Sequence, residues 1–142
     1  VEIGTGVMLF VAYRAMETRA MTAVKDAGYT DITLAQARIG QRIGPAGTRL
    51  TDLAEQAQVT KQTAGFLVDQ LERAGYVERV PDPADGRARL IRLSARGEGV
   101  ADVANAEVAL VEREWEDHLG AAAYRDLRTA LLKLREVTEP YR

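Results

Sequence analysis

Apolar positions recur at helical spacing through most of this chain, and one stretch near its middle breaks that rhythm. Between residues 7 and 25, Leu9, Tyr13, Met16, Ala20 and Val24 form one stripe, widened by Met8, Phe10, Val11 and Ala15. The spacing predicts a helix that needs cover on more than one side, as an intersubunit helix does. Gly28-Tyr29-Thr30-Asp31 interrupts it. A second helix is expected from about Leu34 to Ile43, with Thr33 as its cap and Gly44-Pro45-Ala46-Gly47 as its end. A third begins at Thr51, whose hydroxyl suits the orphan amides of a first turn. After a break at Gln58–Thr60, a fourth runs from about Lys61 to Ala74, with Ala64, Leu67, Val68 and Leu71 on one face. Gly75 supplies the left-handed residue that commonly closes a helix.

The period then changes. Tyr76–Val80 and Arg89–Leu93 are rich in β-formers and flank Pro81-Asp82-Pro83-Ala84-Asp85-Gly86, a strong turn signal. Helical spacing resumes at Ser94, the cap of a long helix reaching about Leu119, roughly 37 Å at 1.5 Å per residue. Ala104, Val108, Val111, Trp115 and Leu119 line one of its faces. Gly120 separates it from a last helix, about Ala122 to Val137, carrying Tyr124, Leu127, Leu131 and Leu134, with Pro140 at its end. Helix, turn, helix and hairpin in that order imply a mainly α fold with a small β-hairpin wing. This is a winged helix-turn-helix flanked by N- and C-terminal dimerisation helices, and its expected partner is double-stranded DNA. We expect a single domain over residues 1–142, with the DNA-binding lobe at about 31–97 and the dimerisation region at 1–27 and 98–142.

A formal charge of −2 and a pI near 5.5 look wrong for such a partner until the charges are located. From Gln36 to Leu50 there are Arg38, Arg42 and Arg49 with no acid, and from Gly86 to Gly97 there are Arg87, Arg89, Arg92 and Arg96, again with no acid. Glu98 to His118 carries seven acids against Arg113 alone. Local field governs association more than the chain total, so the basic stretches outweigh the sum. Absence of cysteine excludes a disulfide framework or thiol switch, and one histidine, His118, cannot build a usual zinc site. His118 is expected in ordinary helix-end packing, and Glu112, Glu114, Glu116 and Asp117 as a solvated face. No nucleophile–histidine–acid grouping or phosphate-binding glycine loop appears, so neither an enzyme nor a cofactor is expected. Val7–Tyr13 is too short to span a bilayer and Arg14 soon follows, which points away from a membrane and to the cytoplasm.

A recognition helix offers its N-terminal outward residues to base edges in the major groove. Here those are Lys61, Gln62, Thr63, Gly65 and Phe66. Gln62 suits adenine N6 and N7, and the Thr63 methyl suits thymine. Thr60, Thr63 and the first-turn amides suit a phosphate. Gly65 weakens a helix by about 1 kcal/mol relative to alanine, so either DNA approaches its backbone closely or a helix start tolerates it. Phe66 either meets thymine methyls and sugars or packs on Ile91 of the wing.

The run Asp82-Pro83-Ala84-Asp85-Gly86-Arg87, with Leu90-Ile91-Arg92-Leu93-Ser94 and Gly97, resembles the wing signature of the MarR transcriptional regulators. Thr33-Leu34-Ala35-Gln36, Leu67-Val68-Asp69, Leu71-Glu72 and Gly75-Tyr76-Val77 fit the same family in order and spacing. The resemblance implies a homodimer on a pseudo-palindromic operator, usually as a repressor, released by a small aromatic or lipophilic effector. It also implies that Arg87, at the hairpin tip, enters the minor groove with Asp85 fixing its orientation, while Arg89 and Arg92 touch phosphates or solvent. Phe66 departs from the family pattern, where a polar or basic residue is commoner. The effector space implied by the resemblance would be lined by Tyr13, Arg14, Ala37, Arg38 and Trp115. Small Ala37 and Gly40 either leave room there or are covered by a neighbour such as Trp115. The competing expectation keeps the fold but makes it a protein-interaction module that binds no DNA, on the strength of the acidic total and Phe66.

Overall fold

A computed structural model describes residues 2–139. The expected stop at Pro140 lies outside the described residues. In chain order the elements are α1 (Thr5–Asp26), α2 (Leu34–Gly40), α3 (Leu50–Ala57), α4 (Lys61–Arg73), β1 (Val77–Asp82), β2 (Asp85–Leu93), α5 (Ala95–Leu119) and α6 (Ala121–Thr138). The two strands form one antiparallel hairpin, so the architecture is the expected helix-turn-helix with a wing.

Local signals account for most boundaries. Thr33 caps α2 in a capping box, accepting from the Gln36 amide at 3.2 Å while the Gln36 side chain accepts from the Thr33 amide at 3.1 Å. α2 stops three residues short of Ile43, and that residue turns into the core instead. Ser94 accepts from the Gly97 amide at 3.2 Å, starting α5 where expected. Gly75 takes φ +82°, and its left-handed turn redirects the chain from α4 into β1. Gly97 is required for another reason: a Cβ there would sit 2.1 Å from the Tyr76 carbonyl oxygen. Thr51 is not the cap of α3; that place belongs to Arg49, which makes no side-chain capping bond.

The chain divides into two compact units, one of residues 21–104 and one drawn from the first 20 residues together with those from 105 onward. The first holds α2, α3, α4, both strands and the adjoining turns of α1 and α5. Its core gathers Val24, Ile32, Ile39, Ile43, Leu53, Val68, Leu71, Tyr76, Val77 and Ile91. Leu53 and Val68 are wholly shielded from solvent, and burying each such side chain stabilises the unit by about 1.5–3 kcal/mol.

In the second unit Val111 and Tyr124 are the buried residues among those described. Val7, Met8, Leu9, Phe10 and Val11 of α1 and Leu127, Leu131, Leu132, Leu134 and Val137 of α6 are exposed. Polar bonds tie it instead. Arg19 donates to Glu107 at 3.1 Å and to Glu114 at 2.6 Å, and Glu112 accepts from Tyr124 at 3.1 Å and Arg128 at 3.2 Å. Glu112 and Glu114 are therefore partnered rather than merely solvated, and the Arg19 guanidinium holds the Glu114 carboxyl below its usual range. His118, in the last turn of α5, is exposed rather than packed. No described helix is long and apolar enough to cross a membrane.

Candidate nucleic-acid interface

The turn between α3 and α4 is made by Gln58 in the left-handed region, φ 56° and ψ 45°, its side chain donating back to the Glu55 carbonyl at 2.6 Å. Thr60 then caps α4, accepting from the Thr63 amide at 3.0 Å and bonding the Thr63 hydroxyl at 3.0 Å. The cap leaves the amides of Lys61 and Gln62 without a helical partner, as the first turn of any helix does. Ala64, Val68 and Leu71 bury one side of α4 in the lobe, which forces Lys61, Gln62, Thr63 and Phe66 outward. Phe66 is 59% exposed, so it lies open and the wing does not cover it, while Ile91 is buried in the lobe. A Cβ at Gly65 would meet only Leu50 at an ordinary 3.7 Å. Packing within the chain therefore does not demand glycine there.

The wing is longer than expected. β1 continues through Asp82 and β2 starts at Asp85, leaving Pro83-Ala84 as a two-residue turn. Asp82 pairs with Asp85 and Pro81 with Arg89, so Gly86, Arg87 and Ala88 have no counterpart on β1. Such a bulge bends a strand and re-aims the side chain at its centre. That side chain is Arg87, set within β2 rather than at the hairpin tip. Its guanidinium and that of Arg89 are exposed, with no ion pair among the described residues. Asp85 does orient this residue, but through the backbone: its carboxylate accepts from the Arg87 amide at 3.0 Å.

Other arginines that the charge pattern aligned with phosphate already have protein partners. Arg92 donates across the hairpin to Glu78 at 2.6 Å. The Arg96 guanidinium lies 4.2 Å over the Tyr76 ring, bonds the Ala74 carbonyl at the end of α4 and donates to Asp31 at 3.2 Å. Tyr76 donates its hydroxyl to the same Asp31 carboxylate. Burial and that bond push the Tyr76 phenol up to about 12, while the Tyr76 hydroxyl and Arg96 hold Asp31 below its ordinary value. Arg79, in β1, donates to Asp69 at 2.7 Å and also to Glu72, clamping the wing to the far half of α4.

Sequence reasoning missed one pair. Arg49 donates through Nε at 2.9 Å and Nη2 at 2.6 Å to one oxygen of Asp82, a residue only 7% exposed. The other Asp82 oxygen accepts from the Ala84 amide at 2.9 Å. The Ala84 amide first, and then Arg49, hold the Asp82 carboxyl below its usual range. The residues are 33 apart in the chain, and no local pattern announces such a meeting. An arginine where a helix cap is due was the only signal.

The expected effector residues fall in both units. Tyr13, Arg14 and Trp115 belong to the helical one, with Tyr13 donating to Glu17 at 3.0 Å and the Arg14 guanidinium 5.5 Å from the Phe10 ring centre. Ala37 and Arg38 belong to the lobe.

A family model described as MarR family matches residues 30–88, the span of the lobe from α2 into β2. A helix-turn-helix-type transcriptional regulator named BilQ, from Clostridioides difficile (strain CD3), is 30% identical over 71 residues, covering 49% of this chain and 45% of that protein. The chain spans less than half the length of the curated relatives it matches, and both are named as regulators rather than enzymes. Among solved structures, NadR in complex with 4-hydroxyphenylacetate is 26% identical with a TM-score of 0.74, covering 96% of this chain and 95% of that one. A mutant MarR from E. coli complexed with operator DNA has the same fold at 23% identity and a TM-score of 0.68, covering 91% of each chain.

Proposed function

We propose that this chain is a member of the MarR family, whose model matches residues 30–88, and that it is a sequence-specific DNA-binding transcriptional regulator. It acts as a repressor, as two copies on a pseudo-palindromic operator. The observation that carries this reading is the capped start of α4 turned outward in the same compact unit as a bulge that offers Arg87, which has no ion pair among the described residues. An exposed helix start suits the major groove, and a guanidinium suits the narrow, strongly negative minor groove. The relative solved with operator DNA supports this direction. The two recognition helices would meet major grooves about 34–36 Å apart. Mobility shift on genomic fragments at two salt concentrations tests the reading: affinity is expected to fall by about a thousandfold or more between 50 and 200 mM salt. A flat salt response, or no retained fragment, favours a protein-interaction module instead, the reading that the open Phe66 supports.

The homodimer rests on the apolar surface of α1 and α6, which one chain leaves uncovered. Sedimentation is expected to show a dimer, and a stable monomer overturns this part. We read the chain as a single domain in which this helical layer serves the lobe. The relative bound to 4-hydroxyphenylacetate supports an effector of the same chemistry, a small phenolic acid. Adding that compound is expected to raise the melting temperature and release DNA.

A further inference from the structure

We propose that Arg49 is a positioning residue for the wing, setting the direction in which the bulge presents Arg87 to DNA. The inference rests on the DNA-binding reading above. Arg49 occupies the N-cap of α3 without capping it, although serine, threonine, aspartate or asparagine there would satisfy an orphan amide. A cation at that end also opposes the helix dipole. Two local preferences are thus given up at one residue, and such departures cluster at functional positions. What replaces them is the bond to Asp82, whose buried carboxylate needs a partner for one oxygen while the other shapes the Pro83-Ala84 turn. Asp85, beyond that turn, lies 4.0 Å from the same guanidinium and holds the Arg87 amide.

The neighbouring residue shows that Arg49 is not needed for sheet registry. Thr48 already exchanges both backbone bonds with Ile91 at 2.9 and 2.8 Å, fixing the base of β2. Arg49 acts on the far end, where the ladder is interrupted by the bulge and Arg87 has, among the described residues, no ion pair of its own to orient it.

The test uses a duplex selected from a random-sequence pool by the parent protein. Arg49→Thr supplies a cap that offsets the partner Asp82 loses, so its melting temperature is expected to stay close to the parent's while operator affinity falls about tenfold. A merely structural role would move both the same way. Arg49→Lys restores part of the affinity. Because Arg49 works through Arg87, the double variant with Arg87→Ala is expected to bind little worse than Arg87→Ala alone. Asp82→Asn, which keeps the cation but weakens its tether, is expected to reduce affinity as well. Multiplying losses in the double variant, or unchanged or tighter binding by Asp82→Asn, would mean that Arg49 grips a phosphate directly, and either overturns the proposal. Parent-like affinity of Arg49→Thr overturns it too. Failure to select any duplex overturns the DNA-binding reading, and this inference with it.

Discussion

In residues 21–104, side chains from Val24 to Ile91 close around a shared apolar core, whereas the unit built from the chain's two ends leaves Phe10, Leu131 and Leu132 in solvent. Both units have similar apolar patterns in sequence. They differ in what the chain can place opposite each stripe. In the lobe, short helices and a hairpin cover one another. In the other unit, α6 and the larger parts of α1 and α5 have more apolar face than they can cover, and Arg19 with Glu107 and Glu114 supplies polar ties instead. A region that finishes its own core can hold a rigid reading surface. One that does not is suited to receive a second copy.

The largest expected effect lies in the lobe. Leu53→Ala removes a fully shielded side chain and should lower stability by about 2–5 kcal/mol, read by denaturant titration, and abolish DNA binding with the fold. Leu131→Glu sharpens the contrast from the other side. Exposed in the single chain, it should leave the lobe folded yet shift sedimentation from dimer to monomer and weaken operator binding at least a hundredfold, about 2.8 kcal/mol. If that variant stays dimeric, the apolar face of α6 is not the contact.

Within the lobe the reading elements separate by size of effect. Arg87→Ala is expected to weaken binding to every sequence about tenfold and to lower the salt slope by about one. Gln62→Ala should instead relax preference at one base pair per half-site, with discrimination there reduced by about 1–3 kcal/mol in competition binding. The smallest effect concerns pH. Asp82 and Asp31 are held below their ordinary values in the fold, so the unfolded chain takes up protons first as pH drops. Their stabilisation is complete above about pH 4 and is lost below it. Thermal melts across pH 6 to 3 should show that fall, and Asp82→Asn should flatten part of it.

Features decided by neighbours in the chain were legible before any fold was in hand. Thr33, Gly75 and Ser94 ended or began elements where expected because capping and left-handed turns depend on residues a few positions away. The outward placement of Lys61, Gln62, Thr63 and Phe66 also followed from the stripe opposite them. Thr51 misled because a good capping residue stood two positions inside the helix, and the arginine that displaced it answers to a carboxylate far along the chain.

The sequence by itself determined the order of helices and hairpin, the face that α4 turns outward and the family likeness of the wing. Periodicity and turn chemistry act over a few residues and are written directly in the chain. Tertiary structure alone decided which arginines are held by carboxylates and which, among the described residues, are not. Arg79, Arg92 and Arg96 are held by carboxylates that folding brings near, and Arg49 is held by Asp82, while Arg87 stands in a bulge that exists only in the register of two strands. A charge has a fixed place in sequence, but its partner is chosen by distance in space.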